Sequence, residues 1–218
     1  MAFDTATPAV TVALHDGREV LASSSTVDAR RHGELLAPAI AAALAQAGAS
    51  SSDLTGVAVG VGPGPFTGLR VGLVTAHMLG FALGIPVHGA CTLDVMAHES
   101  DVAGPLCVTT DARRKEVYWA RYDGARHRLA GPAVNRPADV DLRTGAAGGV
   151  LPVVGAGAAR YPETLGEPHQ PAHPSAAALA ALVLARLAAG EELLEPEPMY
   201  LRRPDAATPG PRKQVSSA

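Results

Sequence analysis

Asp4 and Asp111 are the residues best placed for chemistry. Each closes an apolar run, and each is followed 12 residues later by an Asp-Gly pair, at Asp16-Gly17 and Asp123-Gly124. A carboxylate at a strand end can hold a divalent cation against phosphates, or it can cap its own turn by accepting a backbone N–H. Turn capping is the simpler reading of both. The eight histidines offer no H-E-x-x-H pair. His169 and His173 are four apart but flank Pro171, so they cannot share a regular helical face and hold zinc. His32 stands before an apolar helical pattern and reads as a solvated cap residue. No Ser or Thr falls in a recognised nucleophile motif. The stretch Gly62-Pro63-Gly64-Pro65-Phe66-Thr67-Gly68 is a glycine-rich turn opening a helix, a place where free amides can hold phosphate. It lacks Gly-Lys-Ser/Thr and G-x-G-x-x-G, and its two prolines remove amides. It reads as a stiff strand-to-helix turn, with Thr67 as the helix N-cap.

The elements that position these residues follow from the spacing of apolar side chains. Met1 to Thr7, Ala9 to His15 and Arg18 to Ser25 read as three antiparallel strands, with Val10, Val12 and Leu14 on one face of the second. Glu34 to Ala47 reads as a helix, with Pro38 near its first turn or kinking it. Val57, Val59 and Val61 read as a strand, followed by a helix from Gly68 to Leu83. Pro86 to Gly89 is a short strand and Thr92 to His98 a helical piece. Strand, Asp, strand, Asp-Gly, strand then recurs from Pro105 to Ala130 at the same spacing, offset by 107 residues. That repeat points to a duplicated fold, with a first half over 1–100 and a second over 101–218. In the second half, residues 130–149 form a variable connection and Leu151 to Val154 a strand. Gly155-Ala156-Gly157 is the weak counterpart of Gly60-Val61-Gly62, and Gly166 to Pro174 is a loop. Ser175 caps a helix over 176–189, 195–203 is extended, and 208–218 is a frayed polar tail.

The helices over 34–47 and 68–83 have almost no polar side chains. A helix on the outside of a sheet needs a polar outer face unless something covers it, so a partner surface is expected here.

With 218 residues and 47% hydrophobic composition, the chain can bury a full core. Its formal charge of −3 gives no basic face of the kind that grips nucleic acid, and Lys115 and Lys213 are the only lysines. Cys91 and Cys107 are far apart and read as buried free thiols in a reducing compartment. No signal peptide opens the chain, and its longest apolar run, Val71 to Val87, falls short of a typical membrane span. The expected location is cytoplasmic.

The wording of the central stretch is more specific than its physics. Gly62-Pro63-Gly64-Pro65-Phe66-Thr67-Gly68-Leu69-Arg70-Val71-Gly72 resembles the G-P-G-S-F-T-G-L-R-x-G signature of the TsaB (YeaZ) family, with Pro65 in place of Ser. The resemblance extends to Asp4-Thr5-Ala6-Thr7, to Arg31 through Ile40, to Asp111 through Tyr118, and to Pro198-Met199-Tyr200-Leu201-Arg202. Related sequences begin with a few more apolar residues ahead of the first aspartate.

The resemblance implies an α/β, duplicated ASKHA fold of the actin, Hsp70 and RNase H kind, two mixed sheets with flanking helices. It implies the non-catalytic scaffold and activator of the bacterial complex making threonylcarbamoyladenosine (t6A) at tRNA position 37. The partners implied are TsaD, the threonylcarbamoyltransferase; TsaE, an ATPase; a homodimer when alone; and tRNA only through the complex. The interface carried over comprises His32, Leu35, Leu36, Ile40, Leu69, Arg70, Leu73, His77 and Leu79. Asp4, Asp111 and Gly155 fall at vestigial nucleotide-site positions. No cofactor of the chain's own is implied; ATP or ADP with Mg²⁺ belongs, if anywhere, to the complex interface. The alternatives are an ATP-dependent phosphotransferase of the same fold class and, behind it, a metallopeptidase of the glycoprotease-like kind.

Overall fold

The computed structural model describes residues 1–144 and 149–202. The expected tail over 208–218 lies outside the described residues. Two five-stranded sheets share one connection pattern. The first has the order β3-β2-β1-β4-β5, built from β1 (Ala2–Asp4), β2 (Ala9–His15), β3 (Val20–Val27), β4 (Val57–Gly60) and β5 (Val87–Ala90). The second runs β8-β7-β6-β11-β12, from β6 (Leu106–Asp111), β7 (Val117–Tyr122), β8 (Arg128–Asn135), β11 (Val153–Val154) and β12 (Pro168–His169). In each, the first three strands are antiparallel and the last two join the first in parallel. A two-stranded ribbon, β9 (Arg143–Thr144) with β10 (Gly149–Val150), stands apart from both sheets. β8 and β9 order part of the stretch read as a variable connection, and β12 interrupts the segment read as a loop.

Alternation fixes the two faces of the first sheet. Phe3, Val12, Val57 and Val59 point to one side and pack with α1 (His32–Gln46) and α2 (Phe66–Leu83). Ala2, Ala13, Ala58 and Ala90 point to the other. Four alanines make a shallow surface, and the helix that fills it comes from the far end of the chain. This is α6 (Ala176–Ala188), which seats Leu179, Ala180 and Val183 there. In return α3 (Thr92–Glu99), made before the second sheet, places Leu93, Met96 and Ala97 against Leu106, Val108, Ala120 and Tyr122. The sheets therefore exchange a helix, and the two exchanged helices touch.

Asp94 of α3 ties this junction. It is buried, accepts from the Tyr122 hydroxyl at 2.8 Å and Arg186 of α6 at 3.2 Å, and lies 3.6 Å from Arg128. The opposite face of the second sheet is filled by Cys107, Val117 and Val153, together with Ala158 of α4 (Ala156–Arg160) and Leu165 of α5 (Pro162–Leu165).

Several helix ends differ from expectation. α1 starts at His32, so Pro38 lies well inside it. α2 starts at Phe66 with Pro65 as N-cap, and no side chain caps it. Pro65 already holds the extended φ of −61° and ψ of 139° that an N-cap needs, which leaves Thr67 inside the first turn. Ser175 does cap α6, accepting the Ala178 N–H at 3.0 Å. By length and composition α2 could cross a bilayer. Here its Gly68, Leu69, Gly72, Leu73, Ala76 and Gly80 side is buried.

Candidate partner-binding face

The Asp4 turn lies under the start of α2. Asp4 is fully buried and uses both carboxylate oxygens. Oδ1 accepts the Ala6 N–H at 2.7 Å and Oδ2 the Thr92 hydroxyl at 2.7 Å. Burial raises its pKa above the ordinary carboxylate value, against those two hydrogen bonds and the nearby His32, which lower it. A Cβ on Gly60 would overlap the Asp4 carboxylate, one on Gly64 the Ala6 carbonyl, and one on Gly68 the Thr5 carbonyl. The Thr5 hydroxyl donates to the Gly68 carbonyl at 2.7 Å. The signature glycines thus serve close backbone packing on the turn.

Asp111 repeats the device, accepting the Arg113 N–H at 3.0 Å; Arg160 stands 3.6 Å from it. Gly155 has φ +105° and its missing side chain would strike the Thr109 carbonyl, as Gly62, at φ +96°, serves the first half. Asp4, Asp111 and Gly155 are all engaged inside the protein. Among the described residues no three His, Cys, Asp or Glu side chains converge as a metal site.

The nine interface residues read from sequence divide sharply. Leu36 and Leu69 are 0% exposed, Leu73 4% and Ile40 8%. These four face the first sheet's core, so a partner on the surface does not reach them. His32 is also buried rather than a solvated cap. Its Nε2 lies 2.8 Å from the Thr7 carbonyl, and it packs beside Gly68. Leu35 and Leu79 are half-buried. Arg70 and His77 are exposed. The outward face of α2 instead carries Val74 and Met78, each 59% exposed, and Phe81, 86% exposed. Beside it, α1 turns outward Ala37, Pro38, Ala41 and Ala45. An apolar row of this kind on a surface helix is the mark of a covered face.

A C-terminal strap runs along this helix. The Gly89 N–H donates to the Leu194 carbonyl at 2.8 Å, His77 Nε2 lies 2.9 Å from the Pro196 carbonyl, and the Met199 N–H donates to the Val61 carbonyl at 2.8 Å. Arg70 donates to the Tyr200 hydroxyl at 2.7 Å, with its guanidinium 5.5 Å from the Phe66 ring centre and 5.6 Å from that of Tyr200. Arg202 then crosses to the Asp111 turn. It donates to the Ala112 carbonyl at 2.7 Å and pairs with Glu116. That turn holds Arg113, Arg114 and Lys115 all at positive φ, which long side chains rarely adopt.

Two sheets of one topology, flanked by helices and each with an Asp-capped first turn, define an ASKHA-like fold. Comparison with known proteins narrows this class. Residues 19–153 match the family model described as TsaD: tRNA N6-adenosine threonylcarbamoyltransferase. An uncharacterised protein of Mycobacterium tuberculosis is 48% identical over 211 residues, covering 94% of this chain and 92% of that protein. The tRNA threonylcarbamoyladenosine biosynthesis protein TsaB of Escherichia coli is 34% identical over 170 residues, 75% of this chain and 73% of its own. The solved structure of YeaZ from Pseudomonas aeruginosa superposes with a TM-score of 0.77 at 31% identity, covering 92% of this chain and 98% of that one. The chain belongs to the TsaB (YeaZ) family.

Proposed function

We propose that this chain takes part in t6A biosynthesis as a non-catalytic scaffold and activator. In this reading it binds a TsaD-type threonylcarbamoyltransferase through the outer face of α2 and the adjoining alanine face of α1, and TsaE joins the pair. The carrying observation is the row Val74, Met78 and Phe81, left exposed on a helix whose other side is spent on the sheet. Exposed aromatic and methionine side chains are typical anchors of protein interfaces. The relatives named for t6A biosynthesis supply the pathway. tRNA meets the complex rather than this chain alone, and any ATP or ADP with Mg²⁺ sits at the complex interface.

The test is light scattering on the chain mixed with TsaD of the same organism. A one-to-one complex is expected, and Phe81→Asp with Met78→Asp should abolish it without moving the melting temperature. A complex unaffected by that double change would place the interface elsewhere. No complex with ATP, TsaE and tRNA present would remove the scaffold reading.

A further inference from the structure

The two halves of this duplicated chain treat the same turn in opposite ways. In the first half the turn after Asp4 is Thr5-Ala6-Thr7, uncharged and buried beneath the start of α2. In the second half the turn after Asp111 runs through Ala112 into Arg113, Arg114 and Lys115, and these three are exposed. Their φ angles are 60°, 54° and 62°. Glycine takes that geometry freely, whereas a residue with a Cβ resists it. A turn that keeps three long cations where glycine would be easier is a backbone outlier, and such outliers mark working surfaces.

The turn is held firmly. The Glu116 N–H donates to the Arg113 carbonyl and the Ala112 N–H to the Glu116 carbonyl, each at 3.0 Å. Arg202 of the strap donates to the Ala112 carbonyl at 2.7 Å and pairs with Glu116. Arg160 stands 3.6 Å from Asp111, with its guanidinium 5.9 Å from the Tyr161 ring centre. Five cations thus gather around the two carboxylates of this turn, in a chain whose net charge is −3. The sequence expectation of no basic face describes the whole chain and misses this one place.

The strap also sets where the turn lies. Arg202 is two residues past Tyr200, whose hydroxyl meets Arg70 and whose ring meets Phe66 at the start of α2. Arg70, Val74 and Met78 follow at intervals of four, so they share one helix face. The cationic turn therefore stands at the N-terminal rim of the apolar face of α2. Cations on an open turn, unlike those lining a closed cavity, suit an extended polyanion and meet its phosphates rather than its bases.

We infer that the Arg113–Lys115 turn is a phosphate-contact site for tRNA, gripping the RNA backbone beside the seat of the transferase. The inference rests on reading the α2 face as that seat.

Fluorescence anisotropy of labelled tRNA tests it, with the chain–transferase complex at about 0.15 M salt and the chain alone at about 0.05 M. Arg113→Gly with Arg114→Gly and Lys115→Gly removes the charges and relaxes the left-handed turn, so the melting temperature should hold or rise. Transferase binding, read by light scattering, should not change. The complex should hold tRNA at least about tenfold more weakly, with a slope of log K against log salt shallower by about 2 to 3. Arg113→Lys with Arg114→Lys keeps the charges and should stay within about threefold of wild type. A turn that mattered only for shape would give the opposite order. The chain alone should show the same charge dependence whether or not the transferase binds, so failure of the seat on α2 is read separately. Turn-dependent tRNA binding in either preparation supports the inference, and none in both overturns it. A glycine variant that keeps tRNA but loses the transferase or TsaE also overturns it, and makes the turn a protein contact.

Discussion

Glycine in a helix normally invites replacement, and at Gly68 the invitation is false. In open space, Gly→Ala inside a helix gains about 1 kcal/mol. A Cβ at Gly68 would overlap the Thr5 carbonyl and come within 3.2 Å of His32 Nε2. It would also push apart the 2.7 Å bond from the Thr5 hydroxyl to the Gly68 carbonyl. Overpacking costs about 1–3 kcal/mol and the strained hydrogen bond about 1 more. Gly68→Ala should therefore destabilise by about 1–3 kcal/mol net, or roughly 2–4 °C of melting temperature for each kcal/mol in a chain this size. Gly33, in the first turn of α1, is the control. A Cβ there meets nothing closer than Val71 Cγ2 at 3.9 Å, and Gly33→Ala should gain about 0.5 kcal/mol. Urea unfolding of the two variants beside wild type reads both signs. A Gly68→Ala protein as stable as wild type would refute the packing of α2 on the Asp4 turn.

Asp4→Ala strips the Ala6 N–H and the Thr92 hydroxyl of their acceptor and should cost about 2–4 kcal/mol, whereas Asp4→Asn keeps the shape and should cost about 1 or less. Because burial raises the folded pKa of Asp4 above its unfolded value, the native state binds more protons between the two. Wild type should therefore gain stability relative to Asp4→Asn as pH falls from 7 toward 4; urea midpoints that shift the other way would refute this. Burial pushes the Cys91 and Cys107 thiols up to about 12, so neither should react with a thiol reagent at pH 7 until the chain is unfolded. Fast native labelling would contradict the buried placement. Arg202→Ala frees the left-handed turn at Arg113, Arg114 and Lys115, and trypsin should cut there about tenfold faster, the factor given by about 1.4 kcal/mol of local stability. An unchanged rate would mean that the turn stands without the strap.

Strands such as Ala9–His15 and Val57–Gly60 were legible because alternating β-branched residues leave one geometry open to them. The duplicated order was legible because two turns used the same Asp and Asp-Gly spacing. The faces of α1 and α2 were not. In helices with so few polar residues the period carries little phase; in α2 little besides Arg70 and His77 marks the outward side. Leu36, Ile40, Leu69 and Leu73 came to the interface with the resemblance, which named the two helices and not their faces, and the fold puts these four in the core. Phe81 shows its exposure only once α2 is rotated onto β4. The strap was visible as an extended stretch, yet nothing in Pro198-Met199-Tyr200-Leu201-Arg202 says that Arg70, Val61 and Ala112 are its contacts. The run of positive φ at Arg113–Lys115 had no signal either, because Arg and Lys rarely take it.

The exchanged helices have a consequence for synthesis. Every strand of the first sheet has been synthesised once Ala90 is made, but the alanine face that binds α6 stays bare until residues 176–188 follow. At about 5–20 residues per second that interval is on the order of 5–20 s. During it the nascent chain carries a half-finished sheet with one dry face exposed to other nascent chains and to chaperones. The first sheet is thus closed only late in translation, and a chain cut short after residue 100 would hold all five of its strands with nothing on the alanine face.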